Sequence, residues 1–333
     1  MRSTPPLHPP RHASAARGFS LIELMISLAI GLVIAIAAMS AYMGASSASK
    51  MTDAQSRMNE DAQAALSILA QQVRMAGTNP AQPNRDPAFA RNPVYTPYPL
   101  NASSASYTTT GTLSAFALRG CDGTFGNITS AANLDALTCT GASTQPDSIA
   151  VSYEADRYNT VPSGTSAGDC LGYAAPTLSA TFSQGTSNSA TFWVVDNRFY
   201  IRNSSVGVPN LYCKGNNSGA SAQPLVENIE DLQLTYGTMS ASATSASAPV
   251  AGYLSATEVV TETSLAALAN DAARWAKVLT VRICVVARSE SPILDGGASG
   301  AYYQCDGTLD TSKTDRRLRH AYATTVVLRN RRN

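Results

Sequence analysis

The chain has 333 residues, 24 Lys+Arg against 23 Asp+Glu, a net charge of +1, and only 14% charged and 7% aromatic residues. Such a near-neutral chain gives no electrostatic footing for nucleic acid as its main partner, and its length suits one large or two modest domains. His320 is the only histidine after residue 18 and no C-x-x-C occurs, so the usual zinc patterns are excluded and no metal or cofactor is expected.

Residues 1–18 hold Arg2, Arg11 and Arg17, no acid and no apolar pattern, and read as a targeting leader. Without its three arginines the rest of the chain carries −2. From Phe19 to Ala45 there are 27 residues, of which only Glu23 is charged. As a helix this run is about 40 Å long, enough to cross a hydrocarbon core of about 30 Å. A carboxylate in such a run costs up to about 2.5–3.5 kcal/mol, so a partner for Glu23 is expected. One alternative is an ordinary anchor whose Glu23 snorkels to the headgroups. Another is a secretory signal cut near Ala45-Ser46-Ser47-Ala48, although the apolar run is too long for one and Glu23 has no role in it.

No proline occurs between Phe19 and Asn79. Ala62, Ala65, Leu66, Leu69, Val73 and Ala76 recur on one helical face, so the pattern predicts a helix continuing to Ala76 and stopping at Gly77 and Pro80. Residues 79–112 are rich in Pro, Asn, Ser and Thr, with an apolar run Val94–Leu100 broken by prolines, and read as loop. Strands are predicted at Leu113–Arg119 and, half-buried, at Ser148–Glu154. Thr191–Val195 and Arg198–Arg202 read as a hairpin turning at Asp196-Asn197. Alternation at Leu232, Leu234 and Tyr236 predicts another strand, and Met239–Val250 an Ala/Ser loop. Helical spacing covers Ser264–Lys277, and Val278–Ala287 and Tyr322–Leu328 are strong strands. Strands bunched behind one long helix predict an α+β fold with an antiparallel sheet. The expected divisions are leader 1–18, helix 19–77 with 19–45 apolar all round, and head 78–333.

The six cysteines are Cys121, Cys139, Cys170, Cys213, Cys284 and Cys305. An even number in an exported chain reads as disulfides, with free buried thiols the alternative. Of the 15 connectivities open to six cysteines, nearest-neighbour pairing is expected: Cys121–Cys139, Cys170–Cys213 and Cys284–Cys305. Catalytic motifs are weak. Gly164-Thr165-Ser166-Ala167-Gly168 matches G-x-S-x-G, but Pro162 before it and Asp169-Cys170 after it fit neither the strand nor the helix of a nucleophile elbow. Ser47-Ala48-Ser49-Lys50 matches S-x-x-K without its companion motifs. Asp306, Asp310 and Asp315 lack the calcium-loop pattern and read as turn residues. Arg316, Arg317, Arg319, Arg329, Arg331 and Arg332 form a basic C-terminal run that reads as solvated surface. No enzyme activity is expected.

Arg17-Gly18 followed by Phe19-Ser20-Leu21-Ile22-Glu23 resembles the prepilin-peptidase site of type IV pilins and type II secretion pseudopilins. The resemblance implies cleavage between Gly18 and Phe19, N-methylation of Phe19, and compensation by Glu23 of the positive N-terminus of a neighbouring subunit. Val226–Gly237, Val281–Ser289 and Thr324–Arg331 resemble strand segments of PilW-type minor pilins, whereas residues 79–220 match only loosely. Many major pilins carry a helix-breaking proline in the tail, and this chain has none. The expectation is a non-catalytic minor pilin that builds or primes a type IV pilus. Its implied partners are other minor pilins, the major pilin, the prepilin peptidase, the inner membrane before assembly, and a tip adhesin. A minor pseudopilin of a type II secretion system and a signal-anchored periplasmic protein are the alternatives.

Overall fold

The computed structural model describes residues 18–80, 106–110, 116–140, 144–184, 186–217, 219–243, 248–294 and 300–331. The leader arginines, the run Val94–Leu100, the first part of the strand expected at Leu113–Arg119, and Arg332 lie outside the described residues. The chain divides into two compact units, Met1–Thr52 and Asp53–Asn333.

One helix, α1 (Leu21–Met75), runs through both units. The Ser20 carbonyl accepts its first bonds, from the Glu23 and Leu24 amides, each at 3.1 Å. Small and unbranched residues favour the long helix, and no proline interrupts it. It ends at Gly77, whose φ of +73° a side chain would resist. Asn330 closes this end by donating its Nδ2 to the Arg74 carbonyl at 2.8 Å and to Thr78 Oγ1 at 2.7 Å. An orphan carbonyl of the last turn is thereby satisfied from the far end of the sequence.

The second unit is an antiparallel α+β head built on the helix segment after Asp53. Its larger sheet has seven strands: β1 (Ser106–Thr110), β2 (Leu118–Cys121), β3 (Ser148–Ala155), β4 (Thr177–Gln184), β5 (Thr186–Asn203), β6 (Pro209–Lys214) and β7 (Gln223–Glu227). They run in the order β1-β4-β5-β3-β2, with β6 joining β5 to β7. The second sheet contains β8 (Ile229–Thr238), β9 (Gly252–Leu254), β10 (Val278–Arg288) and β13 (Arg319–Val327), in the order β13-β10-β8-β9. Short helices α2 (Ala256–Thr261) and α3 (Asp271–Trp275) precede β10, and a two-stranded ribbon of β11 (Tyr302–Tyr303) and β12 (Leu309–Asp310) precedes β13. Met58, Ala62, Leu69 and Val73 of α1 share one core with Val151, Phe199, Leu234 and Ile283 of the two sheets.

Several elements differ from the expectation. Asp196 and Asn197 do not form a turn: they lie buried inside the single 18-residue strand β5. Their turn-forming character is overridden by partners, Arg198 for Asp196 and Gln72 for Asn197. Gln184 and Thr186 face each other instead, at the end of β4 and the start of β5. The predicted loop 79–112 contains β1, an edge strand of Ser, Tyr and Thr. Strand β3 is buried along its whole length rather than on one face. Tyr153 meets α1 on one side, and on the other the segment closed by Cys121–Cys139 covers the sheet, with Arg198 (the residue opposite Ala150) reaching the Ile128 carbonyl at 2.9 Å. The helix predicted over Ser264–Lys277 is interrupted. A 3-10 turn covers Thr263–Leu265, and α3 starts afresh where the Asn270 side chain caps the Ala273 amide. The strand segment Val226–Gly237 breaks between β7 and β8 at Asn228, which takes φ +59°.

The break at Asn228 carries the chain from one sheet into the other, and Asp147 ties the two together. Its carboxylate accepts the amides of Gly123 at 3.0 Å and of Leu234 at 2.8 Å, while its own amide donates to the Leu232 carbonyl at 2.7 Å. Burial raises the Asp147 carboxyl to about 7, against the pull of these two amide bonds. Nearby, Tyr236 packs edge-on against Trp275, and Gly120 leaves room for the Tyr236 hydroxyl where any Cβ would collide with it.

Candidate assembly surface

In the first unit, apolar residues of α1 face outward all round. Phe19 is 82% exposed, and Leu21, Leu28, Leu32, Val33 and Met39 are each above 60%. An 18-residue window of this helix has a mean hydropathy of 2.6, so it is long and apolar enough to cross a membrane. A patch of this extent is stable only when lipid or other protein covers it. Glu23 sits in the first turn of this surface. Among the described residues it has no ion-pair partner, and Ser27 Oγ donates to its backbone carbonyl at 2.8 Å. Gly18 and Phe19 precede the helix. Lys50, of the S-x-x-K match, also lies on this helix.

The second half of the same helix is fixed to the head by burial and by a polar clasp. Gln72 Oε1 accepts from Asn197 Nδ2 at 2.7 Å and from the Tyr153 hydroxyl at 3.3 Å. Partial burial gives such bonds more weight than they carry in water. Tyr322 on β13 bonds Asn59 one helical stretch earlier. Neither Gln72 nor Asn197 stands out in the sequence. The available signal is Asn197 beside Asp196 inside an otherwise alternating apolar run, which marks either a turn or a buried polar network.

The six cysteines pair as Cys121–Cys139, Cys170–Cys213 and Cys284–Cys305, with Cα–Cα distances of 5.4, 6.6 and 5.9 Å. Each ties an irregular segment to a strand: residues 122–139 to β2, the loop after β3 to β6, and the β11–β12 ribbon to β10. Loop closure of this length contributes about 3–4 kcal/mol in the chain-entropy model.

The remaining motifs take structural roles. Ser166 lies in a tight loop where Ser163 and Ser166 exchange backbone bonds, with Gly164 at φ +62°, and not between a strand and a helix. Asp306 and Asp310 accept bonds from Thr308 and Ser312, as turn residues do. The basic C-terminal run departs from the expectation of solvated surface. Arg319 is 6% exposed and bridges Glu230 at 2.7 Å and Asp315 at 2.7 Å, and these partners raise its basicity against burial. The two Arg319 bonds are the main cause that holds Asp315 down at about 2. Arg317 donates to the carbonyls of Ser289 and Glu290. Two of the six cations are therefore occupied within the head, which weakens the run as an anion-binding face.

Comparison with known proteins gives two family matches. Residues 198–330 match the family described as Type IV Pilus-assembly protein W, and residues 13–39 match the prokaryotic N-terminal methylation motif. The first covers β5 from Arg198 through β13, and the second covers Gly18, Phe19 and Glu23. No curated protein is significantly similar to the chain. Among solved structures, a type IV-like pilin from Thermus thermophilus is similar at 10% identity and a TM-score of 0.31, over 85% of this chain and 100% of that one. Pilin-family domains are structural subunits, which suggests a non-enzymatic role. The apolar helix and the prepilin motif are consistent with an inner-membrane-anchored pilin. With a pilus-assembly W segment in its head and an N-terminal methylation motif at the start of its apolar helix, the chain carries the two family marks of a PilW-type minor pilin.

Proposed function

We propose that this chain is processed between Gly18 and Phe19, methylated at Phe19, and then built into a type IV pilus as an assembly or priming subunit. The first unit of α1 is held in the inner membrane with the head in the periplasm. It then moves into a filament core made of the same segment of neighbouring subunits. There Glu23 pairs with the positive N-terminus of a neighbour, so that both charges leave water together. Other minor pilins and the major pilin are the partners in this step, and a tip adhesin is a further one. The observation that carries the reading is a lone carboxylate, five residues past Gly18, in a fully exposed apolar helix followed by a PilW head. The family match names pilus assembly, which favours this reading over a secretion pseudopilin or a signal-anchored enzyme.

Intact-mass measurement of the protein purified from its own membranes tests the processing step. The expected mass is that of residues 19–333 plus one methyl group, and Gly18→Val retains the full precursor mass. A start near Ser49, or a mass unmoved by Gly18→Val, contradicts the proposal.

A further inference from the structure

The long strand β5 is paired along its whole length on neither edge. β3 pairs it from Trp193 to Phe199, and on the opposite edge β4 pairs it up to Trp193 and β6 from Arg198 onward. Val194–Asn197 therefore have no strand neighbour on that second edge, and loops meet them instead. The Val194 amide donates to the Pro176 carbonyl at 3.2 Å, and its carbonyl accepts from Asn216 Nδ2 at 2.9 Å. A cavity of about 360 Å³ opens in this gap. Val194, Asp196 and Ser152 (the residue opposite Asp196 on β3) line it, together with Asn133 and Asn216. The walls are fixed rather than floppy. Asn133 lies inside the loop closed by Cys121–Cys139, and Asn216 follows Cys213, which is bonded to Cys170.

The polar groups of this cavity are not used up by the fold. Asn216 Oδ1 is buried and has no hydrogen-bond partner. Asn133 Oδ1 is taken by the Ala136 amide at 3.1 Å, which leaves its Nδ2 as a donor, and Ser152 Oγ supplies a hydroxyl. Each Asp196 oxygen accepts one bond from Arg198, at 3.1 and 2.9 Å, and keeps a lone pair. The cavity thus mixes donors and acceptors at short range, beside the apolar surfaces of Val194, Leu178 and Pro176. Asp196 is the one charged residue lining the cavity, and Arg198 already neutralises it through two bonds, so the carboxylate disfavours an anion while its pairing leaves little attraction for a cation. Its volume falls at the lower end of small-molecule sites. A neutral ligand dense in hydroxyls matches all three features, because each hydroxyl both donates and accepts.

We infer that this notch beside β5 is a binding site for a neutral sugar residue. It belongs to the head unit alone and is independent of the processing and charge-pairing steps. The test uses the full chain in zwitterionic micelles free of sugar-headed detergent. The probes are glucose, galactose, mannose, N-acetylglucosamine and their common disaccharides, followed by saturation-transfer NMR, with glucuronate and calcium as charged probes. At least one neutral sugar is expected to bind with Kd of about 1 mM or tighter. Ala132→Trp, at an exposed position on the rim, is expected to weaken that binding at least about tenfold, and Asn133→Leu likewise, with folding checked by melting temperature. Charged probes are expected to bind at least about tenfold more weakly. No neutral sugar binding up to about 10 mM, or binding unaffected by both variants, overturns the inference and leaves the cavity to water.

Discussion

The two halves of α1 share one backbone, yet they solve opposite problems. After Asp53 the apolar residues form a stripe, and Met58, Ala62, Ala65, Leu69 and Val73 are buried in the head. Before Thr52 they cover every face and none is buried. A stripe finds its complement within its own chain, whereas an all-round apolar helix requires lipid or other copies of a similar helix. The difference is written in the polar residues. Asp53, Arg57, Glu60, Gln71 and Arg74 confine the second half to one buried face, while the first half has a single carboxylate, Glu23. The chain is thus finished at one end and unfinished at the other, as an assembly subunit requires.

Substitutions along the helix sharpen that contrast. Leu69→Ala is expected to destabilise the head by about 2–5 kcal/mol, while Leu32→Ala changes head unfolding by less than about 0.5 kcal/mol. Urea titrations of both variants in micelles check this. Equal effects would mean that the two halves do not differ as described. Gln72→Ala removes the acceptor shared by the Asn197 amide and the Tyr153 hydroxyl, leaving them only their own 3.5 Å bond, and about 1–3 kcal/mol is expected in the same titration. If Gln72→Ala costs nothing, burial alone holds the helix to the sheet. Asn330→Ala removes the donor on the Arg74 carbonyl and is expected to cost about 0.5–1.5 kcal/mol.

A pH series probes the join between the sheets rather than the helix. Burial raises the folded Asp147 carboxyl to about 7, above its ordinary 3.8, with the Asp122 and Asp231 carboxylates adding to the shift. The folded head then holds this proton more tightly than the unfolded chain does. Its contribution is complete below about pH 4 and is lost as pH rises towards 7, with a slope of at most about 1.4 kcal/mol per pH unit. Asp147→Asn is expected to flatten that part of the stability curve. An unchanged slope in the variant assigns it to other groups.

The helix and the C-terminal strands are legible in the amino-acid sequence alone. The uninterrupted apolar run, its lone acid and the helical stripe after it depend on composition and period, and those signals survive in a single sequence. The strands Val278–Arg288 and Arg319–Val327 are readable for the same reason, being dense in β-branched residues. The middle of the head is not. β1 and β4 carry Thr that suits a strand, but it is mixed with Ser, and β1 follows a stretch rich in Pro, Asn and Ser that reads as loop. Asp196-Asn197 carries a turn signal that a buried arginine and a helix glutamine override. Arg319 has the pattern of one more surface cation, and only the fold brings Glu230, 89 residues away in sequence, beside it. Asn197 and Arg319 are both polar residues whose partners are distant in the chain, and local pattern holds no record of such pairs.

The central claim is that Glu23 is the unfinished end's one specific contact, and incorporation into pili tests it most directly. In a strain lacking this gene, the measurement is the amount of major pilin, and of this chain, in the sheared surface fraction after complementation with wild type or Glu23→Ala. The account predicts that surface pilin falls on deletion, returns with the wild type, and does not return with Glu23→Ala, even though the variant is processed and its head is folded. Normal recovery of the Glu23→Ala chain in pili would contradict charge pairing. Unchanged surface pilin on deletion would contradict the assembly role itself.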